Sequence, residues 1–116
     1  MILACNAGGW APQIAEHTLG LLLALTRRII PLFNDLAEKI QPPVLHPLSC
    51  LRDKIMTVAG YGGIGRKTAE LARCFGMKIR ALFTSGRTAD SVDFAGTLSD
   101  LPRVLPDTDV PLSPFL

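Results

Sequence analysis

"VAGYGGIGRKTAEL", residues 58–71, is the stretch on which the fold turns. A short apolar run ends in glycines, and a run with helical spacing follows at once. Gly60, Gly62 and Gly65 match G-x-G-x-x-G. In that pattern the first glycine allows a tight turn, the second lets backbone approach a pyrophosphate, and the third lets helix and strand pack closely. Free N–H groups at the start of the helix, with its dipole, attract negative charge. Turns also collect glycine for no functional reason, so the flanks decide between a plain turn and a phosphate cradle.

Upstream, "KIMTVAG" at 54–60 has the pattern of a buried strand. Downstream, Ile64, Thr68, Leu71, Ala72 and Phe75 recur at helical spacing, and Gly76 suits a left-handed stop. "MKIRALF" at 77–83 is the next strand. Strand, glycine turn, helix, glycine stop and strand make one βαβ unit of a parallel sheet. The fold class is therefore α/β, a partial Rossmann-like parallel sheet preceded by a long helix. A Walker-type phosphate loop is excluded, because no Gly-Lys followed by Ser or Thr opens the helix.

The preceding segment supplies that long helix. Pro12 fits a first helical turn, and "IAEHTLGLLLALTRRII" at 14–30 has helical length, with Arg27 and Arg28 near its C-terminal end. Pro31 is the expected break or kink, with a polar helical tail to Lys39. Leucine on most sides predicts burial between other elements or against a partner such as a second copy, as a homodimer. "ILAC" at 2–5 reads as a short strand, "NAGGW" at 6–10 as a turn, and "QPPVLHPLS" at 41–49 as a stiff connector. After residue 98, the proline-broken "SDLPRVLPDTDVPLSPFL" offers no convincing strand.

Composition bounds the rest. With 116 residues, 48% hydrophobic and 19% charged, the chain reads as one globular unit at most, small for a complete dehydrogenase. A net charge of +2 argues against nucleic acid as a partner. The cations cluster, however: Arg66, Lys67, Arg73, Lys78, Arg80 and Arg87 stand against one acid, Glu70, between residues 66 and 87. That run is either a solvated helix face or a local attraction for phosphate. Cys5, Cys50 and Cys74 show no metal-like spacing, and His17 and His46 stand apart, so no metal site is expected. The most apolar segment, residues 17–26, is too short for a membrane span, and no targeting signal precedes Cys5. A cytoplasmic location is expected.

An NAD site usually places Asp or Glu at the end of the second strand to hold the ribose hydroxyls. Here the strand ends "ALFTSGRTAD" at 81–90, and Phe83 and Thr84 cannot accept from two hydroxyls. Thr84, Ser85 and Arg87 instead offer hydroxyls and a guanidinium that suit a 2′-phosphate, which favours NADP over NAD. The bland alternative has Arg87 capping a surface loop.

The AEHT helix at 15–18, the glycine motif and "FGMK" at 75–78 occur in an order and spacing that resembles the D-isomer-specific 2-hydroxyacid dehydrogenases. "LSDLPRVLPDTDV" at 98–110 is similar to that family's next helix and the start of its next strand. The resemblance covers nearly the whole chain. It implies two Rossmann-like domains with the active site between them. Residues 1–5 would be the last trace of a substrate domain, and 6–116 the first half of an NAD(P)-binding domain. Carried over by position, Gly63 and Ile64 offer N–H groups to the pyrophosphate, Thr18 brings a hydroxyl towards the cofactor, and Phe83 replaces the ribose-binding Asp. The catalytic Arg, Glu and His of the family come from segments beyond Leu116, so no catalytic residue is assigned here. Where the family has a further hydrophobic strand, "TDV" runs straight into "PLSPFL", and the sheet is expected to lack that strand.

The resemblance thus implies an oxidoreductase-type NAD(P)-binding portion. A 2-hydroxy or 2-keto acid would be its substrate only with the missing parts supplied. The alternatives are a non-enzymatic dinucleotide-sensing or interaction module, and a truncated product without independent function.

Overall fold

The structure, a computed structural model, describes residues 8–39, 47–84, 89 and 91–114. The expected strand at 2–5 and most of the proline-rich connector lie outside those residues. Two helices come first, α1 (Ala11–Thr26) and α2 (Ile29–Ala37), followed by β1 (Ile55–Ala59), α3 (Gly63–Cys74) and β2 (Lys78–Phe83). The chain then forms β3 (Phe94–Thr97), a short α4 (Leu101–Val104) between two 3-10 turns, and β4 (Val110–Leu112).

All four strands are parallel, in the order β3-β2-β1-β4. β1 is central among them and pairs over its whole length with β2, from Ile55 opposite Lys78 to Ala59 opposite Leu82. Buried on both faces, β1 and β2 read as near-continuous apolar runs, which is why sequence found them. The core gathers Met56, Val58, Ile79, Ala69, Ala72, Met77 and Leu51 with Leu19 of α1. α1 lies along α3, and the small residues Ala11 and Ala15 are buried with Leu19 at successive i, i+4 positions. Gly76 closes α3 with φ +78°, as expected for a left-handed stop.

Three expectations are corrected. The long helix breaks at Arg27–Arg28 rather than at Pro31, with Arg28 itself left-handed at φ 52° and acting as the N-cap of α2. Pro31 falls in the first turn of α2, where its missing N–H removes no intrahelical bond. The helix is also not buried on most sides within this chain, since α1 buries only a narrow stripe and leaves Leu21 and Leu25 exposed, while α2 buries nothing.

The third correction concerns the sheet, which has not lost its next strand. "VPL" forms β4 and pairs with Met56–Val58, and "FAGT" forms β3 beside β2. Pro111 is accommodated because β4 is an edge among the described strands. A side-chain clamp fixes its entry: Asp109 accepts the Ile55 N–H at 2.9 Å and the Lys54 ammonium at 3.1 Å. Beside it, the Thr108 hydroxyl donates to the Val104 carbonyl at 2.7 Å, so the buried Thr57 hydroxyl must be the donor in its 2.7 Å bond to Thr108. Among the described residues, no helix is long and apolar enough to cross a membrane.

Candidate functional site

The C-terminal ends of β1 and β2 meet the start of α3 around a cavity of about 470 Å³. Gly60, directly after β1, takes φ +105° and ties the turn to β2 through its N–H, which donates to the Leu82 carbonyl at 2.9 Å. A side chain there would be strained. Gly65 sits in the first turn of α3. A Cβ at that position would lie 2.3 Å from the Gly60 carbonyl oxygen and 2.9 Å from Val58 Cγ1, so only glycine lets α3 approach β1 this closely. Gly62 differs: a Cβ there would meet nothing within 4 Å, because the position faces the open cavity.

Gly62 is also the N-cap of α3, and no side chain caps this helix. Its carbonyl accepts the Arg66 N–H at 2.9 Å, while the N–H groups of the first turn, Gly63 to Gly65, fall in the part of a helix that has no intrahelical partners. No acidic residue lies in that turn. A bare helix start with open space in front of Gly62 is a cradle for an anion that approaches backbone closely.

The remaining wall is supplied by Gly8, Tyr61, Ile64, Phe83, Thr84 and Pro114. Phe83 is buried at the end of β2 and meets Tyr61 edge-on, with ring centroids 5.4 Å apart and planes at 63°. Burial pushes the Tyr61 hydroxyl above its ordinary pKa, against a hydrogen bond from Ser91 that lowers it. Its phenol therefore stays neutral over the physiological range.

Of the residues singled out in sequence, Gly60, Gly62, Gly63, Ile64, Gly65 and Thr84 come together around this cavity. Thr18 does not: it lies on α1, and its hydroxyl donates to the Ile14 carbonyl at 2.8 Å, a bond within its own helix. Ser85 and Arg87 lie outside the described residues. Gly8 and Pro114 were not singled out. Gly8 has φ +86° in the turn before α1, and the backbone of Gly63 packs against it, with a Cβ at Gly63 3.5 Å from Gly8 Cα. A glycine pair just before Pro12 was the available signal for the first. Pro114 follows β4, which the proline-broken pattern had hidden.

Three of the clustered cations are engaged elsewhere. Lys67 pairs with Glu70 at 2.8 Å and holds that carboxyl below its usual range. Arg73 donates to the Ser91 carbonyl and lies 3.9 Å from Asp93, and Arg80 donates to the Val104 carbonyl at 3.1 Å. None of these cations lines the glycine cavity. Among the described residues, no group of three or more His, Cys, Asp or Glu could hold a metal ion.

Comparison with known proteins gives a consistent answer. Residues 19–112 match the model for the D-isomer specific 2-hydroxyacid dehydrogenase, NAD binding domain. A solved structure described as a D-isomer specific 2-hydroxyacid dehydrogenase family protein, from Aeromonas salmonicida, superposes with a TM-score of 0.81 at 27% identity, covering 96% of this chain and 34% of that one. An acyclic imino acid reductase solved in complex with NADPH and D-Arg gives a TM-score of 0.76 at 29% identity, over 90% of this chain and 33% of that one. Hydroxypyruvate reductase from Thermotoga maritima is 39% identical over 75 residues, which are 64% of this chain and 24% of that protein. The chain spans about a third or less of the length of the curated relatives it matches, from 24% to 34%.

Proposed function

The chain belongs to the D-isomer specific 2-hydroxyacid dehydrogenase family, as its NAD binding domain, and on that premise we propose that the glycine-lined cavity holds the pyrophosphate of a nicotinamide dinucleotide. The observation that carries the reading is the contrast between two glycines. Gly65 is filled to contact by the fold itself, whereas Gly62 faces open space at an uncapped helix start. The N–H groups of Gly63, Ile64 and Gly65 would bind the phosphate oxygens, with Thr84 towards the ribose. When bound, the nicotinamide supplies hydride transfer, and these residues position it without taking a proton themselves.

We further propose NADP over NAD. Phe83 puts a buried ring, not a carboxylate, at the end of β2, so no anion there repels a 2′-phosphate. Thr84, Ser85 and Arg87 follow it in sequence with hydroxyls and a guanidinium. The NADPH-bound reductase among the structural relatives is in keeping with this choice.

The activity proposed for the whole protein is oxidoreduction of a 2-hydroxy or 2-keto acid. This chain by itself binds the cofactor and does not turn substrate over, because Tyr61 is the one titratable side chain among the described residues lining the cavity. Hydride chemistry on a hydroxy acid needs a base near neutral pH and a cation for the carboxylate. The same observation favours a second reading, a dinucleotide-sensing module. A homodimer formed through the exposed apolar side of α2 is the proposed assembly.

Fluorescence titration of the purified chain with NADPH and NADH tests the binding. Saturable binding of both, tighter for NADPH, is expected, and Arg87→Ala should weaken NADPH more than NADH. No saturable signal with either dinucleotide removes the proposal, and equal weakening removes the 2′-phosphate assignment. Turnover of glyoxylate or hydroxypyruvate above background would overturn the separation of binding from catalysis.

A further inference from the structure

At the far end of α3 from the glycine turn lies a second cavity, of about 450 Å³. The last turn of α1, residues 49–52 and the end of α3 enclose it. These segments are tied together by backbone: the Ser49 N–H donates to the Thr26 carbonyl and the Asp53 N–H to the Gly76 carbonyl, each at 3.0 Å. Gly76 lies so close to residue 52 that a Cβ on it would be 3.4 Å from Arg52 Cγ.

Two thiols line this cavity, Cys50 and Cys74, both exposed and both free. Three guanidinium groups line it as well, Arg27, Arg52 and Arg73, and no carboxylate does. Part of that charge serves the fold, since Arg27 reaches the Ser49 carbonyl at 3.5 Å and Arg73 is 3.9 Å from Asp93. What remains is a cationic recess holding a pair of thiols. Cations lining the recess attract a reagent that carries carboxylates.

We propose that this cavity is a thiol–disulfide exchange site, in which Cys50 and Cys74 reduce an anionic low-molecular-weight disulfide of the glutathione class. Cys50 attacks first. Cys74 acts second, because its S–H is engaged with the Glu70 carbonyl at 3.4 Å. In the first step the Cys50 thiolate bonds to one sulfur of the reagent, the reagent's S–S bond breaks, and the departing thiolate takes up a proton. In the second, the Cys74 thiolate attacks the Cys50 sulfur and expels the second reagent thiol. Two protein thiols are oxidised to one disulfide and one reagent disulfide is reduced to two thiols. The second step requires the Cα atoms to come within about 7 Å, and both cysteines line the one cavity.

The site is independent of dinucleotide binding, so its test is separate. The reduced chain is exposed to oxidised glutathione, quenched with acid over time and mapped by peptide mass spectrometry. A Cys50–glutathione peptide should form first and give way to a linked Cys50–Cys74 peptide, and Cys74→Ser should stop at the mixed disulfide. Replacing Arg27 and Arg52 together by alanine should slow the glutathione reaction roughly tenfold but leave reaction with the neutral hydroxyethyl disulfide unchanged. First modification at Cys5 or Cys74, no linked peptide in the parent chain, or equal slowing with the neutral disulfide would each overturn the proposal.

Discussion

At Gly65 and Gly62 the same substitution should have opposite consequences, and the difference separates fold from binding. Alanine at 65 drives a methyl group to 2.3 Å from the Gly60 carbonyl oxygen, so α3 must back away from β1. Overpacking of this kind costs about 1–3 kcal/mol. The melting temperature should fall, and dinucleotide binding should go with it, because the displaced helix carries the phosphate-facing N–H groups. Alanine at 62 meets open space in an extended backbone with φ −83°, so the fold should keep its melting temperature to within a degree or two. Its methyl group nevertheless occupies the place proposed for the pyrophosphate, and affinity should drop roughly tenfold or more. Thermal melts and NADPH titration of both variants provide the check, and a Gly62→Ala chain that binds as tightly as its parent would show that phosphate does not lie there. These glycines were legible in sequence because each has a backbone reason to be glycine. Thr18 was not placed by its residue type: a helical threonine can bond its own helix, and only the structure shows that this one does.

Among the elements, those that announced themselves were the ones whose own residues determine them. β1, α3 and β2 are each supported by periodicity, β-branched or helix-forming residues and a glycine boundary, and they lie within a residue or two of where sequence placed them. β3 and β4 were missed because nothing local marks them. "FAGT" contains a glycine and "VPL" a proline, and both are strands only because β2 and β1 present unpaired edges beside them. The break between α1 and α2 was misplaced for a related reason. Proline at 31 was the visible breaker, but a proline in a first turn starts a helix as readily as it ends one, and the turn fell at Arg28 instead. β4 is too short to hold its register by ladder bonds alone, so Asp109 is given much of that task. The Ile55 N–H, and then Lys54, hold its carboxyl below the ordinary value. A group whose pKa is lower in the folded state stabilises the fold above its unfolded pKa, and that contribution disappears as pH falls through the folded value. The parent chain should therefore lose stability below about pH 4, and Asp109→Asn should be less stable at pH 7 but lose less on acidification. Denaturant melts at pH 7 and pH 3 decide it, and equal pH dependence in the two proteins would remove Asp109 from the clamp.

On the scale of the whole molecule, the distribution of apolar surface does not suit an isolated unit. α2 presents Ile30, Phe33 and Leu36 with 62%, 69% and 64% of their surfaces exposed, and Leu25 near the end of α1 adds 69%. Single exposed apolar residues are ordinary, but a helix of nine residues that buries none of them is a surface awaiting a cover. In sequence the leucine excess falls on the helix at 14–30 and the tail to Lys39 reads as polar, yet Leu32, Phe33 and Leu36 of that tail are exposed apolar residues. Hydropathy does not distinguish a core from an interface. A second copy of the chain is the proposed cover, since symmetric closure on one patch buries it on both copies at once. Light scattering after size exclusion should give twice the mass of the 12.5 kDa chain. Replacing Ile30 and Phe33 together by aspartate should convert that species to a monomer with the same NADPH affinity, because the glycine cavity lies at the C-terminal ends of β1 and β2 and draws no residue from α2. A parent chain that runs as a monomer at tens of micromolar would refute the homodimer. Polydisperse aggregates relieved by the same aspartates would show that the face is apolar and sticky without being a specific interface. The proposed dimer requires a single species of twice the chain mass that the double variant dissociates.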